Sequence, residues 1–144
     1  MSPDDPLLIA ELRRDEGVRY TPYKDTKGID TVGVGHNLQA MPLGLLYPLT
    51  DAQVDRILEV DLAEVFEALD KHLPWWRGLT LARQRVLANM AFNLGITGLL
   101  GFKNTLQEIR RGHYELAAKG MMASKWATQV GARAKRLADM MVSG

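Results

Sequence analysis

From Thr50 to Leu73 the chain runs without a glycine or proline, and Val54, Ile57, Leu58, Leu62, Val65, Phe66 and Leu69 recur at helical spacing. Thr50-Asp51-Ala52-Gln53 opens this stretch as a capping box, and Pro74 closes it. A helix of about 20 residues is the expectation. Just before it the period is different. Val18, Tyr20, Tyr23, Ile29, Thr31, Val32 and Val34 are strand formers, with Asp25-Thr26-Lys27-Gly28 between them, which predicts a β-hairpin. Beyond Pro74 the helical period returns. The chain therefore reads as α+β and mostly helical. A small β-lobe over about 17–49 leads into a connecting helix over about 50–72. A helical lobe over about 73–144 follows, and a first helix over 2–16 joins it. A cleft between two such lobes is the default ligand site.

The finer reading follows punctuation. Ser2-Pro3 or Asp5-Pro6 starts the first helix, Leu8, Ile9 and Leu12 form its apolar stripe, and Gly17 stops it. Thr80 caps a helix with Val86, Leu87, Met90, Ala91 and Leu94 inward, stopped at Gly95. Further helices are expected at about 103–111, 113–123 and 132–142. The apolar run Met41 to Leu49 holds two prolines and reads as a packed loop or short turn. Of the adjacent Trp75 and Trp76, one is expected to face outward.

At 144 residues the chain suits one domain with one well-filled core. It has no cysteine, so disulfides, iron–sulfur clusters and cysteine-based zinc sites are excluded. No metal-ligand cluster and no cofactor motif is visible. Residues 1–6 do not make a secretory signal, and no run approaches about 18 apolar residues. The net charge of +1 hides an asymmetry: residues 1–72 carry 14 acids and 7 bases (−7), residues 73–144 carry 3 acids and 11 bases (+8). The basic half can face an acidic polymer, a lipid surface through the basic C-terminal helix, or simply the acidic half. Core packing accounts for the apolar residues of that helix more simply than lipid does, and nothing beyond charge points to nucleic acid.

The segment from Arg13 to Asn37 concentrates chemistry. Glu16 lies four residues after Leu12 and eight after Leu8, on the apolar face of the first helix at its end. Desolvation there favours the neutral carboxyl, as a general acid requires. Asp25 begins the hairpin turn and Thr31 lies on the returning strand, so the two can share a face. A carboxylate beside a hydroxyl can hold a water and take its proton. Alone, Asp25 reads equally as a turn cap and Thr31 as an ordinary strand residue. Together with Glu16 they make the acid-and-carboxylate arrangement of glycoside hydrolysis.

The same words identify a family. Glu16, Asp25 and Thr31 are spaced by eight and five intervening residues, inside "DEGVR", "YKDTKG" and "TVGVGH". "NMAFNLG" at 89–95, "GF" at 101–102, "SKW" at 124–126 and "RAKR" at 133–136 follow in order. Over nearly its whole length the chain resembles the phage-type (T4-like) lysozymes, the muramidase endolysins of glycoside hydrolase family 24. The resemblance implies a lysozyme-like two-lobe fold. It also implies hydrolysis of the β-1,4 bond between N-acetylmuramic acid and N-acetylglucosamine, with host cell lysis as the outcome. By it Glu16 is the general acid, Asp25 the second acidic residue, and Thr31 helps position the water. It pairs His36 with Asp61, whose carboxylate falls inside the apolar stripe of the long helix, and sets Arg133 near Glu16. Phe92 and Thr105 become glycan contacts, and Trp126 a core residue. It further implies that no metal or cofactor is needed and that a holin admits the enzyme to the wall. With no secretory signal in view, the host cytoplasm is the expected location until then, and a monomer is expected.

Three departures stand out. The segment between His36 and Thr50 is short, which implies a smaller β-lobe and a more open cleft. Asn37 stands where the family type has an apolar residue, and Gly120 where it has a polar glycan contact. Two rivals remain at this stage. A lytic transglycosylase needs one glutamate and no water-holding pair, so Asp25 and Thr31 argue against it. A non-catalytic wall-binding module would tolerate loss of Glu16.

Overall fold

A computed structural model describes all 144 residues. In chain order the elements are α1 (Pro6–Glu16), β1 (Arg19–Lys24), β2 (Asp30–Gly33), β3 (His36–Asn37), α2 (Asp51–His72), a short 3-10 turn (Trp76–Gly78), α3 (Leu81–Leu100), α4 (Lys103–Arg110), α5 (Tyr114–Met122), α6 (Lys125–Val130) and α7 (Ala132–Ser143). The mostly helical α+β class and its small antiparallel sheet are as the sequence indicates. No single helix is long and apolar enough to cross a membrane.

The chain divides into two compact units, residues 2–64 and residues 65–144 with Met1. The division falls inside α2, and α1 counts with the sheet rather than with the C-terminal helices. Its Arg13 is bonded to Asp51 and Asp55 on the first turns of α2, which explains that grouping.

In the first unit the sheet order is β1-β2-β3, all antiparallel. Asp5 caps α1 by accepting from the Leu8 amide at 2.9 Å, so the second of the two Xaa-Pro starts is the real one. Leu8 and Leu12 are fully buried, as are Val32, Val54 and Leu62, with Val34 and Leu58 nearly so. The capping box forms in full: Gln53 N–H donates to Thr50 Oγ1, and Thr50 N–H to Gln53 Oε1.

One expectation fails here. Residues 41–49 are not a packed loop: Leu49 is buried, but Met41, Leu45 and Tyr47 are exposed and Leu46 is 91% exposed. Pro42 and Pro48 have no N–H to give. Between the Met41 amide, bonded to Asn37, and the Leu49 amide, bonded to Tyr20, no backbone hydrogen bond draws the segment inward.

In the second unit α3, α4, α5, α6 and α7 pack on one another. Thr80 caps α3 through the Arg83 amide. Gly95 stops the helix that Thr80 caps, as expected. At φ 74 it breaks the helix, and a further helical segment runs on to Leu100. α6 was not expected; Ser124 caps it through the Ala127 amide. Trp76 is fully buried, edge-on to Phe66, with its Nε1 donating to Asp70 Oδ1 at 2.7 Å, while Trp75 is partly exposed. On α7, Ala134, Leu137, Ala138 and Met141 are buried and Lys135 is exposed.

Candidate active site

Glu16, Asp25 and Thr31 all belong to the first unit. Glu16 is the last residue of α1 and half-buried. Gly17 makes the corner that follows. At φ 76 it lies in the left-handed region open to glycine, and its N–H closes the helix on the Arg13 carbonyl. The chain can therefore leave α1 and enter β1 within two residues, which places Glu16 just before the first strand.

Asp25 is held by its own turn. Its Oδ1 accepts from the amides of Lys27 (2.8 Å) and Ile29 (2.9 Å). Its backbone N–H bonds Ile29 O, and its carbonyl accepts from Gly28 N–H. Oδ2 takes neither side-chain bond and stays available. Thr31 is 4% exposed, and its hydroxyl donates to the Ile29 carbonyl at 2.8 Å. The register sets Tyr23 opposite Thr31, and two residues on, Asp25 bonds Ile29. Opposed residues share a face, as do residues two apart, so Asp25 and Thr31 lie on one face of the hairpin. A carboxylate oxygen and a hydroxyl with its hydrogen already committed are two acceptors for one water.

His36 and Asp61 are also brought together. Nδ1 stands 2.7 Å from Asp61 Oδ2, and Nε2 stands 2.8 Å from the Met41 carbonyl. A carbonyl only accepts, so Nε2 carries a hydrogen, and a second proton lies between Nδ1 and the carboxylate. Burial raises the Asp61 pKa, while the hydrogen bond from His36 pulls it back. The pair ties β3 to α2 within the first unit. Asn37, next to it, uses Oδ1 to accept from the Gln39 and Ala40 amides, which makes the turn that leaves β3.

The other expected residues are in the second unit. Arg133 is 6% exposed and donates through Nε and Nη2 to Asn89 Oδ1 at 2.9 and 2.8 Å. Phe92 is half-buried on α3. Asn93 beside it accepts from Trp126 Nε1 at 2.7 Å, and Trp126 packs edge-on to Phe102. Thr105 is 7% exposed and faces Gly120: a Cβ there would stand 2.5 Å from Thr105 Oγ1. Gly120 is what leaves room for that hydroxyl.

One cluster escaped the sequence reading. Asp51 Oδ1 accepts from Arg13 Nη2 at 2.9 Å and from the Tyr20 hydroxyl at 2.6 Å, while Arg13 Nη1 donates to Asp55 at 2.7 Å. The Tyr20 bond, then that of Arg13, lowers the Asp51 pKa. The same contacts with Asp51 raise those of Tyr20 and Arg13. Nothing in the spacing of residues 13, 20 and 51 signals it.

The phage lysozyme family model matches residues 13–140, nearly the whole chain. The chain belongs to the phage lysozyme family. Lysozyme activity, the hydrolysis of bacterial peptidoglycan, comes with that membership. Among curated relatives, the chain is 32% identical to the pre-baseplate central spike protein Gp5 of Enterobacteria phage T4, over 98% of its own length but 29% of that protein's. It is 26% identical to the probable T4-type lysozyme 1 of Dictyostelium discoideum, covering 92% of each. To the endolysin of Salmonella phage P22 it is 28% identical, over 83% of this chain and 81% of that one.

Proposed function

We propose that this enzyme cleaves the β-1,4 bond between N-acetylmuramic acid and N-acetylglucosamine, with Glu16 as general acid and Asp25 and Thr31 holding the attacking water. The supporting observation is the division of labour at the hairpin. Asp25 Oδ1 is spent on two turn amides, which orients Oδ2, and the Thr31 hydrogen is spent on Ile29 O, which leaves the hydroxyl oxygen only to accept. A water between them donates one hydrogen to Thr31 Oγ1. As its oxygen attacks the anomeric carbon, its other proton passes to Asp25 Oδ2. The Glu16 carboxyl gives its proton to the departing glycosidic oxygen. The outcome is inversion, because water enters on the face opposite the leaving group.

In this reading Phe92 and Thr105 contact the glycan, and Arg133 and the His36–Asp61 pair keep their surroundings in shape. The reading extends, by family analogy, to a monomer that leaves the host cytoplasm through a holin lesion; cell fractionation with and without a holin tests that part. The chemistry is tested by clearing of permeabilised Gram-negative cells with Glu16→Gln against wild type. Loss of roughly 10²–10⁴ in rate with the fold intact is expected for a missing general acid. Clearing at the wild-type rate would overturn the assignment. Reducing sugar ends in the product separate hydrolysis from transglycosylation, which leaves anhydro-muramic ends.

A further inference from the structure

Glu16 sits at a corner that the sheet does not hold. The register of β1 with β2 pairs Arg19 with Gly33 and Tyr23 with Thr31, and is irregular between them. Tyr20, Thr21 and Pro22 therefore lie opposite a single residue, in a bulge. The chain on the far side of Gly17 enters the sheet through its least regular part. On the near side, Glu16 is the last helical residue, where helices fray.

A further restraint comes from α2. Arg13, three residues before Glu16, and Tyr20, four residues after it, donate to the same atom, Asp51 Oδ1. A second, independent tie acts at the same place: the Tyr20 carbonyl accepts from the Leu49 amide at 2.8 Å, two residues upstream of Asp51. Asp51 itself is fixed, because it is the first residue of α2, directly after the reciprocal Thr50–Gln53 cap. The two arms around Glu16 are thus clamped onto one rigid helix start.

We propose that Asp51 is a positioning residue for the reaction: by bridging Arg13 and Tyr20 it fixes the Glu16–Gly17 corner and so the direction in which the Glu16 carboxyl presents its proton. Asp51 touches no substrate. It acts through Tyr20 and Arg13, and the inference rests on Glu16 being the acid. Misaiming an acid by a fraction of an ångström leaves substrate binding alone and slows the chemical step.

The test is steady-state kinetics on solubilised peptidoglycan with Tyr20→Phe, Asp51→Ala, Asp51→Asn and the Tyr20→Phe/Asp51→Ala pair, beside Glu16→Gln. Tyr20→Phe removes one hydroxyl from a partly exposed ring and leaves Asp51 with Arg13. Asp51→Ala leaves Arg13 with Asp55, so both variants are expected to fold. The expected result is a kcat reduced about tenfold in Tyr20→Phe and in Asp51→Ala, with KM unchanged within about twofold. Asp51→Asn keeps an acceptor oxygen and recovers most of the rate. The double variant is no slower than Asp51→Ala alone, because both act through one contact. Amide exchange at Gly17 and Val18 quickens in the slow variants. Near-wild-type kcat in both single variants, with Glu16→Gln inactive, overturns the positioning role and leaves the acid in place. Fully additive losses, or losses confined to KM, overturn it too. An active Glu16→Gln removes the acid itself, and the clamp, having nothing to aim, falls with it.

Discussion

Thr31 gives its hydroxyl hydrogen to the carbonyl oxygen of Ile29 across 2.8 Å, and that carbonyl also accepts from the Asp25 amide. The hydroxyl is dispensable to the turn, whereas the proposed mechanism needs it to hold the attacking water. Thr31→Val should therefore cost less than about 1 kcal/mol of stability, since Ile29 O keeps a partner. It should lower kcat by about tenfold or more, while Thr31→Ser keeps most of the rate. Urea melts and initial rates on one preparation check both; a stable, fully active Thr31→Val would remove Thr31 from water positioning.

His36 and Asp61 are the most deeply buried of the bonded acid–base pairs in the first unit. His36 is 3% exposed, and the Asp61 side chain 20%. Removing either partner leaves the other buried without its proton partner. Asp61→Ala should cost about 3 kcal/mol, and adding His36→Ala should cost much less than a second such loss. A thermal-melt double-mutant cycle reads the coupling; additive losses would mean that the pair stores no shared energy.

Gly120 and Thr105 should also be coupled, here through a clash that a substitution creates rather than a contact that it removes. Alanine is the better helix former by about 1 kcal/mol. At Gly120, though, its Cβ would meet Thr105 Oγ1 at 2.5 Å. Gly120→Ala alone should lower stability by about 1–2 kcal/mol, and Thr105→Ala in the same chain should restore it. A stabilised Gly120→Ala would show that Thr105 yields freely.

Asp70 supplies a pH dependence. The hydrogen bond from Arg77 is the largest effect and holds its pKa below the ordinary 3.8; desolvation opposes it, and the Trp76 bond and the Arg77 charge add to the lowering. A lowered acid stabilises the fold above its unfolded value, and that stability is lost as pH falls through the folded value. The side chain is 47% exposed, so solvent screening limits the gain to a few tenths of a kcal/mol, roughly. Asp70→Asn should melt slightly below wild type at neutral pH, and the gap should close as pH drops below 3.8. A gap that widens on acidification would reverse the sign.

What was legible in the sequence was local. The cap of α2, the hairpin around Asp25 and the apolar faces of α1 and α2 follow from spacing and turn chemistry, because neighbouring residues decide them. His36 and Asp61, far apart in sequence, could be joined only because Asp61 interrupts an apolar stripe and the family resemblance names a partner. α6 was hidden because a helix of six residues between Ser124 and Gly131 is too short to show a period. The loop at 41–49 misled because apolar composition suggests burial, whereas burial needs a backbone that can turn inward. The clamp on Asp51 was invisible because three polar residues on three elements, none of them buried, carry no pattern until folding brings them together.

That exposed loop has one more consequence. An unbonded apolar tip led by Leu46 is where a protease finds its substrate first. A single nick there puts Glu16, Asp25 and Thr31 on one polypeptide and Asp51 and Asp61 on the other. Arg13, Tyr20 and His36 would still grip their partners across the cut. The nicked enzyme becomes a two-piece assembly whose activity reports how firmly those few bonds hold it together.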